Sequence, residues 1–284
     1  MSGEDHAVRT PVWRESRGRR LAASLAYPLI HLVNRPSAAW FGRALYDLAL
    51  RCNGIAIGFE GRHHLSIAEE NFLRRIRPEI EGGVVLDVGA NHGAYARMVR
   101  RVAPTATVHA FEPHPGTFAK LAERDAGTDI CLVNAAMGDR EGTLELYDFA
   151  ADDGSTQASL SRDSVRFFAA DIVSHKVRCT TLDSYLEAEG IARVDLLKID
   201  TEGFDLAVLR GARRAIAEKR LRLIQFEFIP ANIANHVTMR DFFEALPGYE
   251  IYRLCLNGSL LPLFPYDVKR CEIYITHNLI ARPA

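Results

Sequence analysis

The chain has 284 residues, room for one large domain or for one domain with an appendage. Its 48% hydrophobic and 25% charged residues exclude a disordered, collagen-like or disulfide-scaffold protein. With 35 Lys and Arg against 36 Asp and Glu the formal net charge is −1, so nothing in the balance calls for nucleic acid as the principal partner. The cysteines Cys52, Cys131, Cys179, Cys255 and Cys271 are odd in number and widely spaced, with no C-x-x-C pair for zinc or redox work. That usage points to a reducing cytoplasm.

Residues 1–20 are polar and read as a flexible tail. The apolar stretch 21–33, LAASLAYPLIHLV, is too short for a bilayer span of about 20 residues and contains Pro28 and His31. No small-residue cleavage site follows it, so it reads as a helical packing segment, with weak membrane-surface contact as the lesser alternative. The helical pattern runs over 21–80, an N-terminal extension whose apolar face must be buried, either as a cap on a ligand site or in a homodimer contact. Ser66 and Glu69 have capping-box spacing ahead of Phe72, Leu73 and Ile76, and Pro78 is expected to close that helix.

After Gly82 and Gly83 short apolar runs alternate with helix-period segments. Strands are predicted at 84–86, 107–111, 130–136, 143–149, 177–182, 194–199, 221–228, 249–256 and 271–276. Helices are predicted at 115–124, 182–189, 204–217 and 238–246. The first two strand-helix-strand crossovers force parallel pairing. Residues 81–284 therefore form an α/β domain with a doubly wound, mostly parallel sheet covered by helices on both faces. The loop 152–163, rich in Gly, Ser and Asp, has the length of a lid or binding loop.

Asp87-Val88-Gly89-Ala90-Asn91-His92-Gly93 sits where the first strand turns into a helix, whose free N–H groups suit an anionic or carboxylate-bearing ligand. Asn91 stands where a dinucleotide fingerprint needs its second glycine, which disfavours an NAD oxidoreductase. Glu112 ends the second strand, where a carboxylate can accept both hydroxyls of a ribose. Asn134, Ala135 and Ala136 end the third, leaving room for a flat ring that Asn134 could hydrogen-bond. Three consecutive strand ends of this kind point to an adenosine-containing ligand.

These motifs, together with F-E-P-H-P (111–115), T-T-L-D (180–183), L-K-I-D-T-E-G-F-D (197–205), V-L-R-G-A (208–212) and I-Q-F-E (224–227), resemble the FkbM-type family of S-adenosylmethionine-dependent methyltransferases. The resemblance covers about residues 66–275. It implies a class I (Rossmann-like) seven-stranded sheet with an antiparallel last strand, S-adenosylmethionine as cofactor, and methylation of a hydroxyl on a sugar, glycan, glycolipid or natural product. With that cofactor, the strand-end reading puts the donor at Asp87, Gly89, Asn91, His92, Gly93, Glu112, Asn134 and Ala135.

Ligands meet a doubly wound sheet at the carboxyl ends of its strands. Asp200 and Glu202 lie there after the 194–199 strand, and Glu227 near the end of 221–228, so three carboxylates can converge beside the donor. They could orient the acceptor hydroxyl, hold its proton or meet the positive end of the methionine. Alternatively, Glu202 serves the N-terminus of the following helix and Lys198 pairs with a neighbouring carboxylate. His175 and His236 are candidate general bases on acceptor-facing loops. The carboxylate oxygens would also suit a metal such as magnesium, though the pattern names no ion. A nucleic-acid methyltransferase is disfavoured by Ile199-Asp200-Thr201-Glu202, which stands where an Asn-Pro-Pro-aromatic run would be wanted. A donor-binding partner subunit without catalysis, or transfer to nitrogen, are the remaining alternatives.

Overall fold

The computed structural model describes residues 27–57 and 62–284 apart from 29, 152, 153, 156 and 169. The expected tail over 1–20 lies outside the described residues. Helix α1 (Ala39–Cys52) buries only Leu50, whereas α2 (Arg62–Ile80) packs Phe72, Leu73, Ile76 and Ile80 into the core. Helix α2 starts at Arg62, so Ser66 and Glu69 lie within it and do not cap it. Pro78 sits inside its last turn and does not end it; the proline is exposed, so water can serve the carbonyl it leaves unpaired.

Strand β1 (Val84–Val88) is buried at four of its five positions, as a central parallel strand must be. Helix α3 (Ala94–Val102) returns over the sheet with Tyr95, Ala96, Met98, Val99 and Val102 inward. Next come β2 (Thr107–Phe111), α4 (Pro115–Arg124), β3 (Ile130–Val133), β4 (Ala136–Met137), β5 (Gly142–Phe149), α5 (Arg162–Arg166) and β6 (Ile172–Thr180). The rest of the chain forms α6 (Leu182–Ala188), β7 (Leu196–Ile199), α7 (Asp205–Arg210), α8 (Arg213–Ala217), β8 (Ile224–Phe228), α9 (Ala231–Ala234), α10 (Met239–Ala245), β9 (Tyr249–Leu254), β10 (Leu260–Pro262), α11 (Val268–Cys271) and β11 (His277–Pro283).

The main sheet has the order β10-β9-β11-β8-β7-β1-β2-β3. β11 is antiparallel to both neighbours and β10 to β9; the pairs among β8, β7, β1, β2 and β3 are parallel. Seven strands with an antiparallel last strand are thus present, and β10 adds an eighth at the edge. One face is packed by α2 and α3, with Phe72 and Val99 among the contacts. The other carries α6, α7 and α10, through residues such as Leu186, Leu209 and Phe242.

Four expectations change. The predicted strands 143–149 and 177–182 leave the main sheet and pair as β5 and β6, with β4, in a separate three-stranded sheet. Their burial alternates, as it does in a strand with one covered face. The predicted helix 204–217 is broken at Gly211, where an added Cβ would lie 2.0 Å from the Gly138 carbonyl oxygen. The predicted strand 271–276 is the end of α11 and a loop, because the Asp267 side chain accepts the Lys269 N–H and starts a helical turn. The final strand lies further on, at His277–Pro283.

Candidate active site

A cavity of about 310 Å³ opens over the carboxyl ends of β2, β1 and β7, within the range of small-molecule sites. Its floor is the turn after β1. Gly89 adopts φ +82°, and an added Cβ would sit 1.8 Å from the Asp200 carbonyl oxygen. The turn therefore lets β1 and the end of β7 touch, which only glycine permits. Asn91 follows at φ +48°. Its backbone N–H donates to Glu112 Oε2 (2.8 Å), and its side-chain amide donates to the Ser155 carbonyl (3.2 Å). Asn91 Oδ1 is buried without a hydrogen-bond partner among the described residues, an acceptor left for a ligand.

Glu112 lines the cavity at the end of β2 and also accepts the His114 N–H (2.8 Å). Burial pushes its carboxyl up to about 7, against the pull of those two amide donors. Ala135, Ala136 and Met137 wall the recess beyond it, and His92 lines the rim. Asn134 is placed otherwise than expected: its amide donates to the carbonyls of Glu112 (2.8 Å) and Pro113 (3.2 Å), and the residue is not among those lining the cavity. Asp87 lies wholly buried beneath the floor.

Across the turn from Glu112 stands a group of carboxyls sharing one cation. Lys198 Nζ lies 2.9 Å from Asp200 and 3.6 Å from Asp87, over the Tyr95 ring at 5.0 Å. Burial disfavours this ammonium, but the carboxylates of Asp200, Asp87 and Glu69 outweigh it and hold the pKa above its ordinary value. Burial raises Glu69 to about 7, and burial with the charges of Asp200 and Asp205 raises Glu202 to about 8. Glu227 is pushed well above the carboxylate range by burial and then by Asp200 and Glu202. Hydrogen bonds run from Tyr95 to Gln225 (2.8 Å), from Gln225 to Glu69 (2.9 Å) and Asn278 (3.1 Å), and from Asn278 to Glu227 (2.8 Å).

Asp200 and Glu202 line the cavity, while Glu227 stands behind them. Its backbone N–H donates to Asp205, whose carboxyl also accepts the Thr201 N–H, tying the ends of β7 and β8 together. The two histidines are elsewhere. His175 is in the middle of β6, not in a loop, with its ring 4.6 Å from that of His114. His236 is exposed after α9, and neither is among the lining residues. Among the described residues no group of three or more His, Cys, Asp or Glu side chains is arranged to hold a metal ion.

The loop after β5 closes one wall. Asp148 accepts the N–H groups of Gly154 (2.7 Å) and Ser155 (3.0 Å), and Ser159 bridges to Tyr147. This brings Ser155, Ala158, Ser159 and Leu160 onto the cavity. Glu69, read from the sequence only as a helix cap with Ser66, belongs to this site together with Tyr95, Gln225 and Asp205, none of which the sequence alone places there. For Glu69 a signal was present, since Ala68, Phe72, Leu73 and Ile76 place it on the apolar face of its helix.

A doubly wound sheet of this order, a glycine turn after its first strand and a carboxylate ending its second define a class I S-adenosylmethionine-dependent methyltransferase. The model of the Methyltransferase FkbM domain matches residues 87–251, and the chain belongs to that family. It is 25% identical over 179 residues to the 2-O-methyltransferase NoeI of Sinorhizobium fredii, covering 59% of this chain and 72% of the relative. It is 31% identical over 187 residues to the 31-O-demethyl-FK506 methyltransferase FkbM of Streptomyces tacrolimicus, covering 54% and 72%. It is 28% identical over 196 residues to the hexuronic acid methyltransferase AglP of Haloferax volcanii, covering 66% and 72%. No helix among the described residues is long and apolar enough to cross a membrane.

Proposed function

We propose that the protein transfers a methyl group from S-adenosylmethionine to a hydroxyl oxygen of a sugar or of a hydroxylated natural product. The observation that carries this reading is the set of carboxyls at the ends of β7 and β8, with Asp200 and Glu202 on the cavity beside the glycine turn and Glu227 behind them, burial raising the pKa of Glu202 and Glu227. The names of the relatives support the acceptor class, since two specify an oxygen and one a hexuronic acid. The five cysteines, all free, support a cytoplasmic setting.

The bound donor supplies an electrophilic methyl on sulfur; the new O–C bond forms as the S–C bond breaks, its electron pair remaining on sulfur. Glu112 receives the ribose hydroxyls, and Asn91 and the glycine turn seat the arm that follows. Asp200, with Glu202 beside it, orients the acceptor hydroxyl and takes up its proton. Glu227, whose carboxyl burial and its acidic neighbours hold well above the carboxylate range, stands behind them and anchors the hydrogen-bond chain from Gln225 through Asn278.

The test is to incubate the protein with S-adenosylmethionine and a panel of glycosides, uronic acids and polyketide alcohols, and to locate any added methyl by mass spectrometry. Asp200→Asn and Glu227→Gln are expected to keep donor affinity within a few fold while cutting turnover by about 10²–10⁴. Methyl found on nitrogen would overturn the oxygen reading. Donor that binds but is never consumed with any acceptor would make the protein a binding subunit.

A further inference from the structure

We infer that Glu69 is a donor-binding residue whose carboxylate receives the α-ammonium group of the methionine arm, so that helix α2 forms the end wall of the donor cavity. The inference rests on the donor reading of that cavity and extends it to an element N-terminal to the matched family domain.

The strand order fixes the direction in which a donor must lie. The recess of Ala135, Ala136 and Met137 follows β3, Glu112 ends β2, the glycine turn ends β1 and Asp200 follows β7. A nucleoside with its ring in the recess and its ribose on Glu112 can extend its 5′ arm only onward, past β1 toward β7 and β8. Glu69 stands at that far end, lining the cavity while hydrogen-bonded to Gln225 of β8.

One carboxylate oxygen of Glu69, Oε1, accepts from Gln225 at 2.9 Å. Among the described residues no hydrogen bond is made to the other. Lys198 does not neutralise Glu69 by direct contact, since its ion pairs are with Asp200 and Asp87. Among the described residues Glu69, Asp87, Asp200 and Glu202 thus share a single ammonium, that of Lys198. Such a corner selects a cation, and of the ammonium and carboxylate that end the methionine arm it takes the ammonium. The acceptor hydroxyl is assigned to Asp200 and Glu202, with Ser159 and Leu160 on the wall beside them, so Glu69 is left to hold the donor and does not deprotonate the acceptor.

The experiment compares wild type with Glu69→Gln, whose amide oxygen can still accept from Gln225, by calorimetric titration of three ligands. These are S-adenosylmethionine, S-adenosylhomocysteine and 5′-methylthioadenosine, which has the nucleoside and thioether but no amino-acid arm. The variant should weaken the first two on the order of 10- to 100-fold, the usual effect of losing a bond to a charged group, and leave the third unchanged. Unchanged affinity for S-adenosylmethionine, with or without loss of turnover, would overturn the inference. Equal weakening of all three would also overturn it, by making Glu69 a structural residue. Wild-type protein that bound none of the three would instead overturn the donor reading itself.

Discussion

The backbone N–H of Asn91 donates to Glu112 Oε2 at 2.8 Å across 21 residues of sequence. The turn after β1 and the end of β2 are therefore held in register by the carboxyl proposed to carry the ribose. Glu112→Ala should raise the donor dissociation constant about 10- to 150-fold. It should also cost about 1–3 kcal/mol for each amide left unpaired at Asn91 and His114. Calorimetric titration and urea unfolding measure the two effects separately, and an unchanged constant would remove Glu112 from the site.

Donor affinity should rise with pH through about 7, where Glu69 and Glu112 ionise in the empty site. Stability of the ligand-free protein should move the other way. Glu69 and Glu112, raised from 4.5 to about 7, and Glu202, raised to about 8, bind more protons folded than unfolded. Their contribution is therefore present below pH 4.5 and is lost as pH rises through those folded values. Carboxyls held low, such as Glu81 at about 2, change only below this window. Thermal scans between about pH 5 and 8 should show Tm falling without donor, and the donor-induced rise in Tm growing. A donor effect that shrank with pH would contradict the charge assignment.

Gly89→Ala should abolish donor binding and destabilise the fold by several kcal/mol, because the added Cβ would overlap the Asp200 carbonyl oxygen. Gly42→Ala is the control. Nothing lies within 4 Å of its added Cβ in α1, so stability should hold or rise by about 1 kcal/mol. Circular dichroism melts of both variants check the pair.

The division into a tail, a helical extension over 21–80 and a methyltransferase domain over 81–284 is tested by truncation. Removing residues 1–17 should leave Tm and donor affinity intact. Removing residues 1–80 should give insoluble protein, since it strips Phe72, Leu73 and Ile80 from the core they share with Val85 and Ile280. A soluble, donor-binding fragment beginning at residue 82 would refute this.

That Gly89, Asn91, His92, Glu112 and Ala135 line one cavity was legible because their signals are local. A glycine turn, a strand-end carboxylate and small residues each lie within a few residues of a strand end, and β1 to β3 are short apolar runs with clear limits. The rest depended on distant partners. Ser66 and Glu69 have the spacing of a cap, yet the contact that defines Glu69 comes from Gln225, 156 residues away. β5 and β6 look like any other strands until pairing assigns them to a second sheet. β11 begins with His277 and Asn278, polar residues that hid it; both are buried, and Asn278 holds Glu227.

The crowd of carboxyls around Lys198 bears on how turnover would end. A donor seated as proposed enters with a positively charged sulfur, and giving up its methyl leaves a neutral thioether. The acidic corner that drew the ligand in then has less to hold. Above about pH 7, where Glu69 ionises, the negative charge of the corner would favour arrival of fresh donor over retention of spent donor and ease inhibition by the enzyme's own by-product.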